Sequence, residues 1–291
     1  MAERAAHRLR HDAERIGARL PPLQVAADRV AATVAQGVHG RRRVGTGETF
    51  WQFRPYQFGD ATGAIDWRQS AKGDRLVLRE LEWEAAQSVW LWVDSSPSMR
   101  YASGTSVTKH DRAQVLALAL ASLLLRAGER VATLGHGRRP ASGRATLGRL
   151  AEEFASAGAD DDLPTGPLPR HARAVLVSDW LMPIAEREAW LRSLHGMGVA
   201  AFVLLVLDPA EIDLPFSGRV RFKGLEDEGI AVIGNVDQVR AEYGQLVAEH
   251  RAALADLVRR FGWGMTLHRT DHPPEQALLP LFMALGGGTD R

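Results

Sequence analysis

The 291-residue chain contains no cysteine. Disulfides, thiolate nucleophiles and zinc–thiolate sites are excluded together, which is compatible with a reducing compartment. A membrane-length apolar run is also missing. The longest, VLALALASLLL (115–125), falls well short of the ~20 residues a bilayer needs. The N-terminal MAERAAHRLRHDAER lacks the apolar block of a signal peptide. A cytoplasmic protein is expected. Net charge is only +1, so the chain as a whole gives no argument for nucleic acid.

Signatures of catalysis are scarce as well. There is no Gly-x-Ser-x-Gly elbow to activate a serine. GTGET (45–49) has the glycines of a phosphate loop, but Glu48 stands where a lysine is needed and Arg42 where a glycine is needed. The ten histidines share no short metal-ligand spacing. His171, His195 and His268 fall near element ends and are expected at the surface. No catalytic residue is assigned, and a non-enzymatic protein is expected.

What is present is a globular composition, 45% hydrophobic and 24% charged, in a chain long enough to bury a substantial core. Charge is uneven. Residues 1–43 hold nine arginines against four acids, a net of +5, ending in Arg41-Arg42-Arg43. Two readings stand: a solvated helical face with a basic turn, or a peripheral docking surface for acidic headgroups or an acidic partner.

Apolar spacing predicts helix in the first ~40 residues, broken by Pro21-Pro22. Residues 40–75, rich in Gly and aromatics, read as irregular structure with short strands. From Ser88 strand and helix alternate. Strands are predicted at 88–93, 130–136, 172–178, 199–207 and 264–269. Helices are predicted from a Thr108 cap to Gly128, then at 146–155, 184–195, from an Asn235 cap to Gly262, and at 273–285. A β-hairpin with an acidic turn is predicted at 219–234. The fold class is α/β, a doubly wound and mainly parallel sheet with an N-terminal helical and irregular extension. Two parts are expected: a segment 1–84, and an α/β domain 85–291 with a hairpin insertion near 208–234. Ligands of such sheets bind beyond the carboxyl ends of the strands, where strand order reverses.

The strand SVWLWV (88–93) runs straight into an aspartate, three serines and a proline, Asp94 to Ser98. Asp94, Ser96 and Ser98 alternate, so in extended backbone their side chains share a direction, and Pro97 favours an extended Ser96. Hard oxygens at this density suit Mg²⁺ or Mn²⁺. One carboxylate and two hydroxyls leave such an ion under-neutralised and ready for an outside carboxylate. The alternative is a strand end whose serines cap the next turn. A second strand, AVLVSD, ends in Ser178 and Asp179, and two parallel strands of this kind would meet at one rim.

Strand–D-x-S-x-S, a buried helix, and a later strand ending in Asp resemble the von Willebrand factor A fold with its metal-ion-dependent adhesion site (MIDAS). Upstream, Gly45, Gly47, Arg54, Tyr56, Gly59, Asp60, Ile65, Asp66, Trp67, Ser70 and Ala71 resemble the signature of the bacterial family called domain of unknown function 58. By that resemblance Asp94, Ser96, Ser98 and Asp179 are the metal positions. The fold's third loop supplies a threonine at a helix start. Thr165 has a fitting spacing, although PTGPLPRHAR is too short and proline-rich for that helix, and Thr146 begins a helix but falls early. Asp60, Asp66, Arg54 and Arg68 read as arginine–carboxylate pairs holding an irregular segment, or as a partner surface. Trp67 and Trp180, beside polar motifs, read as core residues or as contact-surface residues.

The resemblance implies a protein-interaction module whose Mg²⁺ or Mn²⁺ binds a partner carboxylate. It also implies a partner, an AAA+ ATPase of the MoxR type, in chaperone-like assembly. The alternative is a Mg²⁺- or Mn²⁺-dependent hydrolase acting at the same rim.

Overall fold

The computed structural model describes residues 7, 44–45, 49–57, 65–73, 75–82, 87–104, 107–157, 163–166, 168–226 and 229–286. Apart from His7, residues 1–43 lie outside this set, and so do the expected N-terminal helices, the basic surface and Asp60.

The upstream segment forms a three-stranded antiparallel sheet. Strands β1 (Val44–Gly45) and β2 (Thr49–Pro55) flank β3 (Val77–Glu82), with a register shift between Phe50 and Gln52. A single helical turn, α1 (Trp67–Ser70), lies between β2 and β3. Asp66, expected to pair with an arginine, instead caps α1, its Oδ1 accepting the Gln69 N–H at 2.8 Å.

Five parallel strands form the second sheet. They are β4 (Ser88–Val93), β5 (Arg130–Thr133), β6 (Arg173–Ser178), β7 (Ala200–Leu207) and β10 (Gly264–Arg269), in the order β10-β7-β6-β4-β5. Ala141 adds an antiparallel bridge to Val131 at the β5 edge. The antiparallel hairpin β8 (Val220–Lys223) and β9 (Ile230–Ile233) stands apart.

Side chains of the central strands β4, β6 and β7 alternate between two apolar layers, which is why these strands read as continuous apolar runs. Val89, Leu91 and Val93 of β4 pack with α2 (Lys109–Arg126), α3 (Arg144–Ser156) and α7 (Glu275–Gly286). Trp90 of β4 faces the other layer, with α4 (Ile184–Gly196) and α6 (Val236–Arg260). The sheet is therefore doubly wound. A short helix, α5 (Pro209–Asp213), follows β7. Helix α2 starts at a capping box between Thr108 and Asp111 and is buried along most of its length, as its nearly all-apolar sequence requires. Even so, no helix among the described residues is long and apolar enough to cross a membrane.

Strand order reverses between β4 and β6. The chain leaving β4 turns one way, through α2 to β5, and the chain leaving β6 turns the other, through α4 to β7. A crevice opens at their carboxyl ends. The return from α3 to β6 is made without a helix where it is described: Leu163 and Leu168 pack on the second layer, and the Trp190 indole N–H donates to the Pro164 carbonyl at 3.0 Å. Gly135 permits this close passage. Its φ is 96°, and a Cβ there would come within 2.9 Å of the Pro164 Cβ.

Of the two readings of the tryptophans beside polar motifs, Trp180 follows the core one, and the expected surface position of His268 is corrected. Trp180 is fully buried among Trp92 and Trp190, because the turn after β6 folds it under the sheet edge. Trp67 remains 63% exposed. His268 is not at the surface: it lies on β10, is 2% exposed, and its Nε2 has no hydrogen-bond partner among the described residues. Burial, helped by Arg112, pulls its pKa from 6.5 to about 4. A histidine that resists protonation when folded contributes stability that is whole above pH 6.5 and drains as pH falls towards 4. We expect wild type to lose about 3 kcal/mol more than His268→Gln between pH 7.5 and pH 4, measured by urea denaturation across that range.

Candidate metal-rim site

The rim is built by two strand ends. After Val93 the chain leaves β4, and Asp94 folds back so that its Oδ1 accepts the Ser96 N–H at 2.8 Å. A 3₁₀ turn, Pro97–Arg100, follows with the proline in its first turn, and the Ser96 side chain does not cap it. The hydroxyls turn elsewhere. Ser96 Oγ and Ser98 Oγ are 3.2 Å apart, and Ser98 Oγ donates to Asp179 Oδ2 at 2.7 Å. In the other direction, Ser178 Oγ donates to Asp94 Oδ2 at 2.5 Å. Each strand end thus holds the carboxylate of the other.

The turn after β6 is strained. Trp180 has φ = 59°, a left-handed conformation costly for a bulky side chain. Its N–H donates to Ser178 Oγ at 2.8 Å, and the Leu181 N–H donates to Asp179 Oδ1 at 3.1 Å. That turn aims Asp179 at the β4 loop. Packing of the Trp180 ring against Trp92, at 6.0 Å between centroids, offsets the strain.

Helix α2 contributes from below. His110 Nδ1 lies 2.9 Å from the Asp94 carbonyl oxygen, which only accepts, so Nδ1 carries the hydrogen. Gln114 Nε2 then donates both to His110 Nε2 and to the Phe154 carbonyl, each at 2.7 Å. Lys109 is wholly buried. Its Nζ donates to Asp179 Oδ2 at 2.7 Å and to Glu211 Oε1 at 2.5 Å. Desolvation favours its neutral form, but Asp179 and Glu211 together outweigh this, and its pKa rises above the ordinary 10.5. A third strand end joins in. Asp208, after β7, accepts the Ser103 N–H at 3.0 Å and the Ser103 hydroxyl, tying down the segment beyond the 3₁₀ turn. Above the loop, Glu226 from the hairpin connection accepts the Ser98 N–H at 3.1 Å.

Asp94 is 5% exposed and Asp179 is 1% exposed. Burial pushes the Asp94 carboxyl up, against hydrogen bonds from Ser178 and the Ser96 N–H, and the nearby Asp179 pushes it the same way. Among the described residues, no three His, Cys, Asp or Glu side chains form a metal-holding group. What converges is mixed: two carboxylates with the hydroxyls of Ser96, Ser98 and Ser178. Of these, Asp94 and Ser96 line a cavity of about 590 Å³ that also takes in Thr133, Pro164 and Glu226.

A family model described as "Protein of unknown function DUF58" matches residues 52–253. The chain belongs to the DUF58 family. An uncharacterized protein of Mycobacterium bovis is 28% identical over 280 positions, covering 89% of this DUF58 chain and 86% of the relative. An uncharacterized protein of Mycobacterium tuberculosis aligns with the same figures. Among solved structures, an aerotolerance-related membrane protein from Bacteroides fragilis covers 70% of this chain and 100% of its own. Its identity is 14% and its TM-score 0.39, too weak a likeness to bear on the site.

Of the residues this DUF58 sequence nominated, Asp94, Ser96, Ser98 and Asp179 lie in one hydrogen-bonded cluster. Thr165 is exposed, one residue beyond the cavity-lining Pro164. Thr146 is buried at the start of α3, where its hydroxyl donates to the Ser142 carbonyl at 3.0 Å. Lys109, Asp208, Glu211 and Glu226 were missed. Asp208 had a signal, since VAAFVLLVL ends in aspartate just as AVLVSD does. Lys109 had a weaker one, a lysine opening an otherwise apolar helix.

Lysine here neutralises a carboxylate that water cannot reach, Asp179, and a half-buried one, Glu211. Lys109→Met is expected to cost about 3–5 kcal/mol in urea denaturation, because it strands Asp179 and Glu211. Adding Asp179→Asn should recover part of that loss in a double-mutant cycle, whereas additive costs would mean that the two side chains are not coupled.

Proposed function

We propose that this chain is a protein-interaction module. Its rim, Asp94, Ser96, Ser98 and Asp179, holds Mg²⁺ or Mn²⁺ and receives a carboxylate from a protein partner, in the manner of a von Willebrand factor A-type adhesion site. The observation that carries the reading is the crossed pair of hydrogen bonds, Ser98 to Asp179 and Ser178 to Asp94, which brings both strand-end carboxylates to one point of the crevice.

The donor set fits a hard divalent ion. It is all oxygen, and it is carboxylate and hydroxyl rather than imidazole or thiolate. Charge points the same way. Lys109 compensates Asp179 and Glu211, while the hydrogen-bond donors to the Asp94 carboxylate are the neutral Ser178 hydroxyl and Ser96 N–H. A bound ion would supply a positively charged position open to an outside oxygen. The chain's own part is to orient the hydroxyls through the Ser96–Ser98 contact, to exclude water with the tryptophan layer, and to hold Asp179 beside Lys109. Thr165, next to Pro164 at the cavity wall, is assigned as the third-loop ligand. The resemblance of the upstream segment supplies the partner class, a MoxR-type AAA+ ATPase in chaperone-like assembly.

Calorimetric titration tests the metal. Mg²⁺ or Mn²⁺ should bind wild type, Asp94→Ala should abolish binding, and Thr165→Ala should weaken it by a smaller factor. Steady turnover of p-nitrophenyl phosphate that disappears with Asp94→Ala would overturn the module in favour of a hydrolase at the same rim.

A further inference from the structure

The connection between β8 and β9 reaches over the D-x-S-x-S loop. Glu226 accepts the Ser98 N–H across 128 positions of sequence. It lines the polar cavity that Asp94 and Ser96 also line. The preceding residue, Leu225, lines a different cavity of about 480 Å³ on the other side of the loop. That cavity is walled by Tyr101, Leu181, Leu214, Phe222 and Tyr243, and Ser98 forms its border. Two adjacent residues of the hairpin therefore straddle the rim, a carboxylate on the polar side and a large apolar side chain on the other.

The hairpin is weakly built. It pairs only four residues per strand in its own two-stranded sheet, and Leu225, Ile230 and Val232 are 47%, 58% and 52% exposed. A two-stranded ribbon with so much exposed apolar surface is displaced at small cost. Its acidic residue supplies the chemical group that the rim is proposed to receive.

We propose that Leu225 and Glu226 hold the place of the partner, and that the partner's docking segment carries the same chemistry: a bulky apolar side chain for the Tyr101–Tyr243 cavity beside a carboxylate for the Ser98 loop. This rests on the reading of the rim as a carboxylate receptor and names both its ligand class and its intramolecular competitor. Binding then requires the hairpin pair to leave, so the free chain is self-blocked.

The probe is a fluorescent peptide, FKGLEAAGI, titrated by anisotropy into the full chain and into the Leu225→Ala/Glu226→Gln variant, with Glu226→Gln alone as a second variant. The double variant should bind at least tenfold more tightly than wild type, with Glu226→Gln in between. The control peptides FKGLQAAGI and FKGAEAAGI should each bind the double variant at least tenfold more weakly. Equal affinity for wild type and both variants, or no binding to variants whose circular dichroism matches wild type, would overturn the proposal. Repeating the titration in EDTA and in Mg²⁺ separates it from the metal reading. Tight binding to the variant that ignores Mg²⁺ keeps the self-block and removes the metal. Metal binding by calorimetry without peptide binding does the reverse.

Discussion

The structure turns on one exchange between neighbouring strand ends, in which Ser98 serves Asp179 and Ser178 serves Asp94. Parallel pairing of β4 and β6 sets the two loops side by side, since Val93 lies opposite Val177. The small and large apolar residues that alternate along β4 commit one face to each layer, so a slip of one residue would drive the tryptophans into the α2 layer and leave voids in the other. Precision at the rim is thus inherited from the strands, and the loops refine it with hydrogen bonds.

Burying carboxylates at such a point is costly, and the fold meets that cost in distinct ways. Asp179 and Glu211 share the ammonium of Lys109, held at the first turn of α2. Asp208 is satisfied by Ser103 and by the Ala210 N–H at 2.9 Å. Asp94 is given neutral donors, which do not outweigh the burial that raises its pKa. The rim is therefore polarised. Its Asp179 side is neutralised from within, and in the proposed reading its Asp94 side is the one a cation would approach.

Much of this was legible in sequence, for identifiable reasons. The β4, β6 and β7 strands announce themselves because strands covered on both faces are continuously apolar, and α2 announces its burial because Leu and Ala occupy most of its turns. Asp94, Ser96, Ser98 and Asp179 were visible because chemistry at a strand end interrupts that pattern abruptly. Lys109, Glu211 and Glu226 were not. Their meaning comes from contacts across 70, 102 and 128 positions, and no local period encodes such distances. Trp180 was left between two readings and His268 was misplaced for a related reason. A polar neighbour in sequence says nothing about a turn at φ = 59° that folds an indole inward, or about a histidine whose strand is covered by α7.

The same long-range contacts change what the motif means. Read alone, D-x-S-x-S describes an open receptor on a strand end. In the folded chain, Lys109 engages the second aspartate of that receptor from below, and Glu226 engages its third motif residue from above. Both are side chains of this protein, and each offers the kind of charge that the rim would otherwise seek from solution, one a cation and the other a carboxylate. Under the proposed reading, a receptor whose poles are both met internally would be governed by competition. The affinity of an external ion or partner would be reduced by the fraction of time the internal groups are in place, and tuned by whatever moves α2 or the hairpin.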